Sequence, residues 1–162
     1  MEEHAFHSRS RAWVYTASRS FRPDEVRELD RSIDQFCSNW TAHDKQLFAR
    51  GSIRFDRLLV LLVDETQAGA SGCSIDKSVH FLQSLGKQFD CDFFVRNLVA
   101  LDRNGAWEWI DFKTIPALLD SGNIDAQTLI IDTLINDLEG LSSWEKPIKA
   151  SWLKRYLKEP AL

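Results

Sequence analysis

The chain reads as an α+β protein: a mixed, largely antiparallel sheet with helices packed on it, in the order βαββαββαβα. Three observations carry this reading. Segments with a helical apolar period alternate with short runs of strand character. Two pairs of strand-like runs are joined by turns too short for a helix, Asp56-Arg57 and Asn104-Gly105, which argues against a purely parallel, doubly wound sheet. One run, Leu58–Val63, is apolar at every position, as in a central strand covered on both faces.

The elements follow in order. Residues 1–11 are polar and read as a flexible N-terminus, with 12–162 as a single domain. Trp13–Ala17 is the first strand. Pro23 opens a helix, where its missing N–H costs nothing, and Asp24 and Glu25 suit the helix dipole. Val26, Leu29, Ile33, Phe36, Cys37 and Trp40 form its apolar face. Leu47, Ala49, Gly51, Ile53 and Phe55 alternate as in a half-buried strand that turns into Leu58–Val63. The next helix starts near Ser74 or Asp76, and buries Ile75, Val79, Leu82, Leu85 and Phe89. Phe94–Leu101 and Ala106–Ile110 flank the Asn-Gly turn. A short helix over Thr114–Asp120 stops at Gly122. Thr128–Ile135 reads as a strand or a helix, with the β-branched residues and the preceding Gly-Asn favouring a strand. Ser143–Pro147 is a loop and Ala150–Leu157 a last short helix.

The composition is that of an ordinary globular chain: 162 residues, 44% hydrophobic and 27% charged. A chain of this size buries about 70% of its unfolded surface. Six Trp and ten Phe are many for this length; most belong to the core, and a few are candidates for a pocket or a contact surface. The net charge of −4 argues against nucleic acid, which selects a basic footprint. The longest apolar run is far short of the ~20 residues of a membrane span. The N-terminus has no apolar segment of the secretory type, and Cys37, Cys73 and Cys91 have no framework spacing. A cytoplasmic protein with free thiols is the expectation.

Candidate chemistry concentrates between Arg57 and Phe89. The segment Gly72-Cys73-Ser74-Ile75-Asp76-Lys77-Ser78 follows a strand and ends in Lys-Ser, as a phosphate-binding loop does. It lacks the second glycine, is one residue short, and sets the carboxylate of Asp76 where phosphates would lie. Cys73 sits at a predicted helix start, where the dipole and free amides favour a thiolate. His43 would serve as its base, with Asp64 or Glu65 orienting the imidazole. The Asp64-Glu65 pair ends the central strand, a frequent position for functional carboxylates and equally for a loop cap. The ligand-binding rim would add Ser71, Gly72, Ser74 and Asp76. Metal-ligand spacings are absent: Cys37-x5-His43 and His4-x-x-His7 match no metal motif, and His80 falls on the polar side of its helix. No cofactor is expected. Near the C-terminus, Trp144, Trp152 and Tyr156 alternate with basic residues and offer an aromatic contact surface, to which Trp107 would add.

The chain resembles a small bacterial family that carries the label ABC transporter ATPase. The resemblance rests on Phe36-Cys37-Ser38-Asn39-Trp40-Thr41-Ala42-His43, Val63-Asp64-Glu65, Ala70-Ser71-Gly72-Cys73-Ser74-Ile75-Asp76, and Pro147 with Ser151-Trp152. It spans about Trp13 to Leu157, and Ala70–Asp76 is its most specific part. It implies that His43, Asp64, Glu65 and Cys73 belong to one feature, and its label implies ATP hydrolysis.

Three functions are therefore expected, in this order: a thiol-centred site acting on an acyl or amide bond, a non-catalytic interaction module using an exposed aromatic surface, and nucleotide hydrolysis. A small molecule, another protein or a second copy of the chain is the expected partner.

Overall fold

A computed structural model of the chain describes residues 6–159. Helices and antiparallel sheets make an α+β protein, as the alternating periods predict. Within the stretch read as one domain, two compact units separate: the chain up to Val95 with Ile135–Ser142, and Arg96–Leu134 with the chain from Ser143.

The first unit is built on β1 (Arg11–Thr16), β4 (Phe48–Arg54) and β5 (Leu58–Asp64), in the order β1-β5-β4 with both ladders antiparallel. All seven residues of β5 are buried, as its unbroken apolar run requires. Helix α1 (Pro23–Asn39) buries Leu29, Ile33 and Cys37. These pack into one core with Ile53, Leu59, Leu61, Leu82 and Leu85. Gly51 permits the close approach of α1, because a Cβ there would lie 2.6 Å from Ile33 Cγ2 and 2.8 Å from the Val60 carbonyl oxygen. Both Phe55 and Asp56, in the turn from β4 to β5, adopt positive φ (52° and 56°). That turn is held by the neighbouring segment: the Ala17 and Phe21 amides donate to the Arg57 and Asp56 carbonyls.

Between α1 and β4 lies a small hairpin that the residue pattern did not announce. β2 (Thr41–Ala42) and β3 (Lys45–Gln46) are joined by His43 and Asp44, both left-handed at φ 50° and 63°. Helix α2 (Gly72–Gln88) begins earlier than Ser74 or Asp76, since Ser71 is its N-cap. Its buried side is also turned from the expected one. Ser74, Ser78, Leu82, Leu85 and Gly86 are buried, while Ile75 and Val79 are only half-covered. A five-residue helix, α4 (Leu138–Ser142), completes the unit. Of the N-terminal segment expected to be free, His7, Ser8 and Arg9 are exposed while two residues are covered. Phe6 is buried and stacks on Phe48 with centroids 4.5 Å apart, and Ser10 is buried.

In the second unit β6 (Leu98–Arg103) and β7 (Ala106–Asp111) form the expected hairpin, with Asn104 and Gly105 at φ 57° and 87°. The sheet runs β7-β6-β8-β9. β8 is confined to Leu129–Ile131, shorter than the predicted strand, because the Asp132 carboxylate accepts the Leu134 amide and turns the chain. The predicted loop over 143–147 holds β9 (Glu145–Pro147), paired antiparallel with β8. The core gathers Val99, Leu101, Ile115 of α3 (Ile115–Asp120), Ile130, Ile148 and Leu153. The predicted last helix is a 3-10 segment, Trp152–Tyr156.

Candidate functional site

The predicted site lies in the first unit, where β5 runs through a loop into α2. Asp64 ends β5 and is buried. Its Oδ1 accepts from the Thr66 amide (3.0 Å) and hydroxyl (2.7 Å), and its Oδ2 from the His7 amide (3.1 Å). Burial by itself raises the Asp64 pKa. The Thr66 hydroxyl and the two amides outweigh it and hold the carboxyl below its ordinary value. Glu65 is exposed, and its Oε2 accepts the Ala70 amide at 3.1 Å across the loop.

Ser71 and Ser74 close the loop on itself. Ser71 Oγ accepts the Ser74 amide, and Ser74 Oγ accepts the Ser71 amide at 2.7 Å. The start of α2 is pinned from the side by Trp40, whose Nε1–H donates to the Ser74 carbonyl at 2.8 Å in a buried bond. Lys77 Nζ reaches Thr41 Oγ1 at 3.4 Å. A phosphate cradle requires amides aimed outward at an anion. Here the amides of Thr66, Ala70, Ser71 and Ser74 all donate to oxygens of the loop's own side chains.

The four residues grouped from sequence therefore do different things. Asp64 and Glu65 hold the loop, and neither bonds to His43 among the described residues. His43 stands exposed at the tip of the β2–β3 hairpin. Cys73 is exposed at the second position of α2, without a hydrogen bond to His43 among the described residues. Gly72 and Asp76 are exposed beside it. No hydrogen bond joins Cys73, His43 and Asp64 among the described residues, and Asp64 accepts from Thr66 and His7 instead. Cys37 is buried, and burial, with Asp34 nearby, pushes its thiol up to about 12. His80 is exposed. His4 lies outside the described residues. Among those residues, no group of three or more His, Cys, Asp or Glu is arranged to hold a metal. No helix there is long and apolar enough to cross a membrane.

The aromatic surface expected near the C-terminus is also altered. Trp144 is buried at 6% exposure, so it offers little contact surface. Trp152 and Tyr156 are half-buried. Trp152 meets Phe112 edge-on at 5.6 Å, and the Arg155 guanidinium covers both Trp152 and Tyr156. Trp107 is half-buried. The exposed aromatic side chain among the described residues is Phe48, at 46%, on β4.

Around β4 the structure presents a feature that the residue pattern did not reveal. The two edges of the β1-β5-β4 sheet are treated differently. The outer edge of β1 is covered by backbone: Ala12 N–H donates to the Asn136 carbonyl, Leu138 N–H to Ser10, and Val95 N–H to Thr16. The outer edge of β4 has no strand partner among the described residues. On that edge Asp30 of α1 accepts the Ile53 amide through its Oδ1 at 2.8 Å. That bond shows that Ile53 turns its backbone polar groups away from β5. Alternate residues of an antiparallel strand share this direction, so Ala49 and Gly51 also face outward. They face a cleft of about 460 Å³ between β4 and α1, lined by Asp30, Asp34, Cys37, Ser38 and residues 49–52. Phe48 was readable as an aromatic in a strand. Which strand forms an edge is set by long-range pairing, and nothing in the local pattern encodes it.

Searches of family models, of curated proteins and of solved structures found no match for this chain.

Proposed function

We propose that this chain is a non-catalytic interaction module that takes up an extended peptide as an added strand on the outer edge of β4. The observation that carries the reading is the contrast between the two edges of one sheet: β1 is sealed by backbone and β4 is open onto a cleft. A strand edge offers a fixed ladder of donors and acceptors, and main-chain pairing supplies affinity without any catalytic group. Phe48, stacked on Phe6 and exposed, supplies an apolar flank for the incoming chain.

Ala49→Pro tests this. Proline removes an outward N–H and leaves the β4–β5 ladder intact, as an edge strand tolerates. Extended heptapeptides selected from a displayed library should lose binding to this variant while its circular dichroism and Tm stay near wild type. Selected peptides that bind Ala49→Pro and Phe48→Ala as well as wild type would contradict the proposal.

One observation favours a second reading, thiol chemistry on an acyl or amide bond. Cys73 is exposed within the first turn of α2, and that turn carries no acidic side chain to oppose a thiolate. Its test is the alkylation rate of Cys73 against pH with Cys37 and Cys91 replaced by Ala. A thiolate forming well below ~8.5 and lost in His43→Gln supports this reading; an ordinary thiol removes it. Nucleotide hydrolysis, which the family resemblance implies, finds no support in a loop that turns the Thr66, Ala70, Ser71 and Ser74 amides onto its own side chains. Calorimetry with magnesium and ATP should give no binding heat.

A further inference from the structure

We infer that the segment added to β4 is basic, with Lys or Arg at alternate positions facing Asp30 and Asp34 of α1. This names the partner of the strand-addition site and rests on that reading.

Asp30 and Asp34 lie one turn apart on α1, ~6 Å along the helix axis. Alternate side chains of a strand are spaced ~6.8 Å apart on one face. Both carboxylates line the cleft beside β4, and Asp30 already reaches the strand's edge through the Ile53 amide. A strand laid along that edge sends every second side chain toward the face that α1 covers. There, residues i and i+2 fall opposite the two carboxylates.

Side chains 48, 50, 52 and 54 alternate to the face opposite Ala49, Gly51 and Ile53, which α1 covers. Arg50 lies over the Phe6 ring at 5.2 Å, and Arg54 Nε is on Ser52 Oγ at 3.3 Å. Burial, together with Asp34, raises the Asp30 pKa; the Ile53 amide and Arg54 act against that rise without cancelling it. A cation arriving between Asp30 and Asp34 relieves that conflict. On the other face the incoming strand meets Phe48 and Arg50, so its intervening residues should be apolar. The motif is therefore a basic residue, an apolar one, and a basic one.

The experiment is fluorescence anisotropy with three labelled heptapeptides: alternating Lys and Val, the same peptide with Thr for Lys, and one with its lysines adjacent. The alternating Lys peptide should bind most tightly. Each of Asp30→Asn and Asp34→Asn should weaken it by about two- to fivefold, the range of partly exposed ion pairs. The double variant should bind it no better than the Thr peptide. Asparagine at position 30 can still accept the Ile53 amide, so the fold is retained. Ala49→Pro should abolish binding of every peptide.

Equal binding of the Lys and Thr peptides, both lost in Ala49→Pro, would overturn the basic partner and leave strand addition standing. Lys-peptide binding that survives Ala49→Pro would overturn both. A dimer on size exclusion that Ala49→Pro dissolves would place a second copy of the chain on the edge and overturn the inference.

Discussion

At the scale of single residues, Asp64 and Glu25 are carboxylates of the first unit occupied by structure. Asp64 answers three donors at the end of β5, so Asp64→Ala would strand the His7 and Thr66 amides and the Thr66 hydroxyl. A loss of about 1–3 kcal/mol is expected in urea unfolding, with β4-edge binding unchanged. Glu25 is held by both guanidinium nitrogens of Arg19, at 2.8 and 3.0 Å, and by the Arg22 amide, which bring it down to about 2. A carboxyl whose folded pKa lies below its unfolded one stabilises fully above the unfolded value. That contribution fades as pH falls through the folded value. The Tm difference between wild type and Glu25→Gln should therefore be constant near neutrality and shrink between the ordinary Glu pKa and about 2. A difference unchanged across that range would remove Glu25 from the acid response. The sequence could bring Asp64, Glu65, Ser71 and Cys73 near one another, because a strand, a loop and a helix start lie in succession. It could not show what the carboxylates bond to, since His7 lies 57 residues from Asp64.

At the scale of elements, Gly51 decides how α1 meets the sheet. Gly51→Ala would press a Cβ against Ile33 and against the Val60 carbonyl, and backbone cannot swing aside as a side chain does. Overpacking of this kind costs about 1–3 kcal/mol, to be read as a lowered urea midpoint with unchanged m. α1, β5 and the β6–β7 hairpin were legible because each has a strong local signal: an apolar helical stripe, an unbroken apolar run, an Asn-Gly turn. The β2–β3 hairpin was not, because His43-Asp44 take the left-handed conformations that Asn and Gly normally mark. The start of α2 was misplaced for a related reason. Its capping box uses Ser74 where Glu or Gln is the usual signal. β9 was hidden by Pro147, which demotes a strand pattern, and α4 is too short to show a period.

At the scale of the molecule, function reduces to which backbone is left open. β5 was recognisable as central from its composition. Its neighbours, and hence the edges, follow from pairings such as that of Arg11–Thr16 with Leu58–Val63, residues 42 to 52 positions later. That is why the loop at Cys73 stood out in the sequence while the β4 edge did not. The net charge of −4 fits a module that attracts basic segments, and binding should weaken with added salt as surface charges are screened.

The most direct measurement is a ¹⁵N-resolved NMR titration with the alternating Lys-Val peptide. Shifts confined to residues 48–54 of β4 and 30–38 of α1 are expected, with the Ala49 and Gly51 amides becoming protected from exchange. Shifts centred instead on residues 71–76 and His43, with the β4 amides unmoved, would contradict strand addition on β4 and return attention to Cys73.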